Sequence, residues 1–356
     1  MATKVNFLFV IVGVVMLIFL MLPNEHYINK NGNSGTRLDQ RMIDKLHSMG
    51  RNLRITHQYQ VAIISDLDQQ SKDADKPNTW RSYLRYGQLK IYNDNTIKII
   101  WNKDYSIIQS QLAEKGRGME LSELILFNNY LCALDDRSGV IFKIINSKAV
   151  PWVILADGDG TVAKGFKSEW ATIKDDHLIV GGFGKEWTSK TGQVLNVNPQ
   201  FIKRINKDGG IQHVNWVKKY EKVKSSLGIK SPGYVIHEAI IWSNIHRKWF
   251  FLPRRISHQK YDDVKDETRG TNVFISCNEH FDQCNVKRIG ILDPVLGYSA
   301  MRFIPDTRDK WIVALKTKES KGKVATFITV FSINGTVLMP DQYVDNKKFE
   351  GIEFIP

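Results

Sequence analysis

Ser122-Glu123-Leu124-Ile125-Leu126-Phe127, then Asn128-Asn129, then Tyr130-Leu131-Cys132-Ala133-Leu134: two apolar runs of strand length meet at a pair of asparagines. Asparagine tolerates the left-handed backbone of a two-residue hairpin, so this stretch reads as two antiparallel strands joined by a tight turn. A second turn, Asp135 to Gly139, leads into Val140-Ile141-Phe142-Lys143-Ile144 and completes a three-strand meander. The opening of this unit recurs. Glu169-Trp170-Ala171-Thr172-Ile173 turns at Asp175-Asp176 into Leu178-Ile179-Val180. Glu238-Ala239-Ile240-Ile241-Trp242 turns near Asn244 into Trp249-Phe250-Phe251-Leu252. Ser299-Ala300-Met301-Arg302-Phe303 turns at Asp306 to Asp309 into Trp311-Ile312-Val313-Ala314-Leu315, and Glu350-Gly351-Ile352-Glu353-Phe354 closes the series.

The openings at 122, 169, 238, 299 and 350 are spaced by 47, 69, 61 and 51 residues, the size of a four-stranded propeller blade. The expected fold is therefore all-β, a five-bladed β-propeller. Its last unit is one strand long, so strands such as Tyr59 to Ser65 or Gln88 to Tyr92 are expected to complete that blade. Such closure removes exposed sheet edges. A β-sandwich or two smaller β domains would leave the shared opening residue unexplained.

That residue carries the chemistry. Ser122, Glu169, Glu238, Ser299 and Glu350 all bear oxygen, and equivalent positions on innermost strands surround one axis. Three carboxylates around an axis repel one another and are costly to desolvate unless a cation neutralises them. Calcium accepts six to eight oxygens in flexible geometry, so a central calcium site is the expectation. Polar strand starts are the competing reading for any one of the five.

The rest of the chain bounds the partners. A hydrophobic content of 42% is enough for a sizeable core, and a net charge of +13 points to an anionic partner. The basic residues are scattered without a block, which argues against nucleic acid. Three cysteines exclude a Cys-rich zinc site; Cys277 and Cys284 are close enough for a local disulfide in an oxidising compartment, and Cys132 reads as a buried thiol. Phe7 to Leu22 is apolar and uncharged, follows Lys4, and lacks a small-x-small cleavage pattern at Met21 to Glu25. Residues 1–24 are expected to be an uncleaved signal anchor, with a cleaved signal peptide as the alternative. Residues 25–55 read as linker and 56–356 as the propeller. Either reading of the N-terminus places the rest in the endoplasmic reticulum or Golgi lumen, as a type II membrane protein, or outside the cell. The sequon Asn334-Gly335-Thr336 fits that route.

Several stretches resemble one family. Lys115-Gly116-Arg117-Gly118-Met119-Glu120-Leu121-Ser122-Glu123-Leu124, Asp135-Asp136-Arg137-Ser138-Gly139 and Pro151-Trp152-Val153-Ile154-Leu155-Ala156-Asp157-Gly158-Asp159-Gly160 resemble the soluble calcium-activated nucleotidases, the apyrases first known from saliva of blood-feeding arthropods. Gly184-Lys185-Glu186-Trp187-Thr188, Pro232-Gly233-Tyr234-Val235-Ile236-His237-Glu238, Trp249-Phe250-Phe251-Leu252-Pro253-Arg254-Arg255 and Glu350-Gly351-Ile352-Glu353-Phe354 are similar too. The resemblance runs from about Ile64 to the end. It implies a five-bladed propeller holding one calcium ion on Ser122, Glu169, Glu238, Ser299 and Glu350, and hydrolysis of nucleoside di- and triphosphates such as UDP, GDP, ADP or ATP.

Phosphoanhydride hydrolysis needs cations for the phosphate oxygens and a positioned water. Arg117, Lys185, Arg254 and Arg255 are the candidate cations, Asp66 or Asp136 the candidate base, and Trp187 a platform for the nucleobase. Rim solvation, turn formation and simple burial are the competing roles. Asp157-Gly158-Asp159-Gly160 begins like an EF-hand loop, but Val162 occupies the glycine position; His237-Glu238 begins a zinc-protease motif, but Ile241 stands where the second His belongs. No Walker A loop is present. A homodimer is left open, and a non-enzymatic, calcium-stabilised interaction module is the rival function.

Overall fold

The computed structural model describes residues 53–320 and 322–356. The signal-anchor segment and most of the linker lie outside the described residues. No described helix is long and apolar enough to cross a membrane.

Five sheets form five blades. Blade 1 runs outward from Leu121–Phe127 through Tyr130–Asp135 and Val140–Ile145 to Lys148–Ile154, and blade 2 from Trp170–Lys174 through His177–Gly181 and Phe201–Ile205 to Ile211–Asn215. Blade 3 starts at Tyr234–Ser243 and passes through Lys248–Ser257 and Val273–Asn278 to Cys284–Arg288. Blade 4 starts at Leu296–Phe303 and ends at Val337–Asp345. Blade 5 is built from both ends of the domain: its inner strand Phe349–Ile355 pairs antiparallel with Ile55–Ser65, which pairs with Trp80–Tyr92. The expected ring closure is therefore present, Gln60 lying opposite Ile355 and Ile64 opposite Gly351.

Local chemistry accounts for the meanders. Asn128 and Asn129 both adopt positive φ, as do Asp175 and Asp176, so both turns read from the sequence are left-handed two-residue hairpins. Inner strands are covered on both faces, which is why Leu121–Phe127 is nearly continuous in apolar residues rather than alternating. Five buried hydrophobic clusters fill the spaces between neighbouring blades. Blade 2 meets blade 3, for example, through Trp170, Trp216, Trp242 and Trp249, and blade 5 meets blade 1 through Ile64, Leu84, Leu121 and Leu124. At the closure a Cβ on Gly351 would stand 2.5 Å from the Leu124 nitrogen, so glycine permits the two inner strands to touch.

The ten-residue helix Val217–Ser226 between blades 2 and 3, which buries Tyr220 and Val223, has no counterpart in the sequence reading. Cys277 and Cys284 face each other across one hairpin and are bonded, and Cys132 is a buried free thiol whose pKa burial pushes up to about 12.

Candidate active site

Ser122, Glu238, Ser299 and Glu350 share a backbone feature. The pairing register of the inner strand shifts at each of them, between Leu121 and Glu123, around His237 to Ala239, between Tyr298 and Ala300, and between Phe349 and Gly351. A β-bulge leaves one residue unpaired and re-aims its side chain. Glu169 sits just before its strand, its N–H donating to the Gly181 carbonyl at 2.8 Å. The Ser122 hydroxyl donates to the Ser168 carbonyl at 2.6 Å and that of Ser299 to the Phe349 carbonyl at 3.4 Å, each beside the next blade's glutamate.

Glu169, Glu238 and Glu350 line one cavity of about 420 Å³, together with Asp66, Asp136, Lys185, Trp187 and Arg254. The structure thus brings together eight of the residues singled out above, with the two serines buried behind them. It does not bring Arg255 there. Successive strand residues point to opposite faces, so with Arg254 in the cavity Arg255 turns away and places Nε 3.9 Å from Asp266. Arg117 lies on an adjoining recess, forked onto Glu120, with Nη2 3.5 Å from Asp68.

Sequence reading missed several charged partners. Lys167 bridges Asp136 and Glu169, the latter at 2.7 Å. Lys348 reaches Asp66 at 2.8 Å, Asp68 at 3.0 Å, Glu319 at 3.3 Å and Glu350 at 3.7 Å. Arg254 holds Glu238, Glu319 and, at 2.9 Å, Glu350. A signal for the lysines was present: Lys167-Ser168-Glu169 and Lys348-Phe349-Glu350 repeat the same spacing in register with the glutamates. Glu319 and Asp68 have no such signature.

Charge at the axis is unbalanced toward acid. Five carboxylates, Asp66, Asp68, Glu238, Glu319 and Glu350, share the two cations Arg254 and Lys348. Burial pushes the Glu169 carboxyl up to about 8, raises Glu238, and raises Glu350 well above the ordinary carboxylate range. Asp66 goes the other way: burial opposes its ionisation, but Lys348 and the Asp68 N–H outweigh it. Asp136 Oδ1 and Ser168 Oγ are buried without a hydrogen-bond partner. Excess buried carboxylate, unspent oxygen acceptors and an all-oxygen donor set are chemistry that suits a hard divalent cation. Among the described residues, the carboxylates whose oxygens all lie within 4.8 Å of one another are Asp66, Asp68 and Glu120, beside the axial glutamates.

The far wall is aromatic and basic. Lys185 lies 4.3 Å from the Tyr261 ring centroid and donates to Thr188 Oγ1 at 2.8 Å. Burial lowers its pKa to about 8. The preceding Gly184 has φ of +75°, and a Cβ there would meet Tyr220 at 2.6 Å and His237 at 2.8 Å. Trp187 packs against Phe183, and Lys164 sits 4.3 Å over its ring.

This is a closed propeller with a carboxylate-lined cavity flanked by Arg254, Lys167, Lys348 and Lys185. The chain belongs to the apyrase family, whose model, described as Apyrase, matches residues 67–355. A protein of Mus musculus named soluble calcium-activated nucleotidase 1 is 49% identical over 298 residues, spanning 83% of this chain and 74% of its own. An apyrase of Cimex lectularius is 44% identical over 308 residues, 85% of this chain and 84% of its own. A third relative, apyrase apy-1 of Caenorhabditis elegans, is 45% identical over 302 residues, 83% of this chain and 84% of its own.

Proposed function

We propose that this protein hydrolyses nucleoside di- and triphosphates to the next lower phosphate and orthophosphate, with calcium held by Ser122, Glu169, Glu238, Ser299 and Glu350. The observation that carries the reading is the junction, in one open cavity, of three buried axial carboxylates with Arg254, Lys167, Lys348 and Lys185. Calcium there would supply Lewis acidity to phosphate oxygens, typically worth several kcal/mol. The protein's own groups do the rest. Arg254 and Lys185 take phosphate oxygens, and Trp187 with Tyr261 offers ring faces to the base. Both Asp66 oxygens are engaged, by the Asp68 N–H at 2.8 Å and by Lys348, whereas Asp136 keeps Oδ1 free. Asp136 is therefore the carboxylate that orients the water. A water oxygen bonds to the terminal phosphorus as its proton passes to Asp136, and the bridging P–O bond breaks with its electron pair staying on the bridging oxygen of the leaving nucleoside mono- or diphosphate, so that the terminal group leaves as orthophosphate.

Relatives named calcium-activated nucleotidase and apyrase support the chemistry, and the site supports calcium. The test is orthophosphate release from UDP, GDP, ADP and ATP in calcium, in magnesium and in chelator. Activity that survives in magnesium without calcium sinks the calcium assignment; calcium binding with no release from any nucleotide leaves the interaction module instead. Glu238→Gln is expected to lower calcium affinity and activity together, and intact calcium binding in an inactive variant would overturn the ligand set.

The proposed location is the secretory lumen or the cell exterior, with clearance of UDP or GDP by an anchored endomembrane form preferred over attack on extracellular ADP and ATP. N-terminal sequencing of the mature protein separates an anchored form from a processed one. Asn334 is exposed at the Ser332–Thr336 turn, open to glycosylation. A mass shift on glycosidase treatment of the secretory product, lost in Thr336→Ala, is expected.

A further inference from the structure

Arg254 and Lys348 are both held by a carboxylate that is not one of the axial donors. Glu319, at the end of strand Trp311–Ser320 in blade 4, places Oε2 on Nη2 of Arg254 and Oε1 3.3 Å from the Lys348 ammonium. Arg254 uses its other terminal nitrogen, Nη1, for Glu238 and Glu350. The Glu319 side chain is 34% exposed, against 13% for Glu238, 5% for Glu350 and 2% for Asp66. Asp68 is more exposed still, but it contacts Lys348 and Arg117 and leaves Arg254 alone. Among the described carboxylates, Glu319 is thus the solvent-accessible one that bridges the guanidinium and the ammonium.

Two oxygens of one group bridging an Arg nitrogen and a Lys ammonium is also how a phosphoryl group is gripped. With Nη1 spent on Glu238 and Glu350, the Nη2 of a guanidinium only 6% exposed needs an acceptor of its own when no substrate is present. Glu319 supplies it from a hairpin end, where release returns the carboxylate to water at little cost. The embedded glutamates have no such exit. We propose that Glu319 is the resident occupant of the terminal-phosphate position, displaced by the substrate's phosphoryl group and returning as orthophosphate leaves. Its role is to set how tightly phosphate is held, so that product does not block the site. This rests on the nucleotidase reading given above.

The experiment is calorimetric titration of the full, calcium-loaded protein with inorganic phosphate, comparing wild type, Glu319→Gln, Glu319→Asp and the surface variant Glu279→Gln. Removing a competitor that fills the position about nine-tenths of the time tightens apparent binding about tenfold. Glu319→Gln is expected to show that gain, Glu319→Asp a smaller one, and Glu279→Gln none; the KM for nucleotide falls in step, and half-saturating calcium stays at the wild-type value. Unchanged or weaker phosphate binding in both Glu319 variants overturns the proposal, as does an equal gain in Glu279→Gln, which would reflect net charge alone. Weaker phosphate binding with reduced kcat would make Glu319 a positioning residue for Arg254 instead. Calorimetry needs no turnover, so a protein that hydrolyses no nucleotide would fail the function proposed above while the phosphate titration still decides the role of Glu319.

Discussion

Lys185 is a cation of the cavity whose protonation falls inside an accessible pH range. Burial brings its pKa down to about 8. It carries its charge below that pH and loses it above, so the proposed hold on phosphate should weaken as pH rises. KM for nucleotide is expected to climb between about pH 7.5 and 9, while kcat holds to higher pH because bound phosphate pulls the ammonium's pKa back up. Lys185→Arg should move that rise beyond the range, and Lys185→Met should cost about 1.5–3 kcal/mol, roughly ten- to a hundredfold in kcat/KM. A KM flat with pH in wild type would remove Lys185 from the phosphate site. Gly184→Ala tests the shelf beneath it: the left-handed φ and the ring contacts of Tyr220 and His237 leave no room for a methyl, and stability should fall by about 1–3 kcal/mol. The proposed donors Ser122, Glu169, Glu238, Ser299 and Glu350 could be singled out because five similar openings put them in register. Arg254 and Arg255 were not separable, since choosing between adjacent residues needs the strand's facing, which only its pairing defines.

At the level of strands, turns were readable and bulges were not. Asn128-Asn129 and Asp175-Asp176 announce left-handed hairpins by composition, whereas the register shift at Ser122 or Glu238 depends on which partner lies opposite. The helix Val217–Ser226 has no clear sequence signature because it is short and lysine-rich, and its stability comes from seating Tyr220 and Val223 beneath Trp216 rather than from its own pattern. The inner strands are also tied together laterally. Arg302 of blade 4 reaches the buried Glu123 of blade 1 at 3.2 Å, the partly buried Glu353 of blade 5 at 3.2 Å and the buried Leu124 carbonyl at 2.6 Å. Removing one partner of a buried ion pair strands the other, so Arg302→Met is expected to lower unfolding free energy by about 3–5 kcal/mol in urea titration. Specific activity of the folded fraction should survive, because the network does not line the catalytic cavity.

For the molecule as a whole, a ligand that binds only the folded ring must stabilise it. Calcium at a hundred times its dissociation constant should add about 2.7 kcal/mol, visible as a melting temperature that rises with calcium and falls in chelator. The five-blade architecture was legible from the repeat spacing, and the closure from a last unit one strand long. The balance of charge was not, because Lys348 meets Asp66 and Glu319 only after blades 4 and 5 come together.

That closure also orders events in time. Ile355 follows its partner Gln60 by 295 residues, so the edge of Ile55–Ser65 leaves the ribosome long before the strand that covers it. During synthesis that edge stands open to wrong partners, a burden for chaperones rather than for the finished enzyme. Glu350 arrives on the covering strand itself. The growing chain therefore lacks the last of the five proposed donors until the ring has shut.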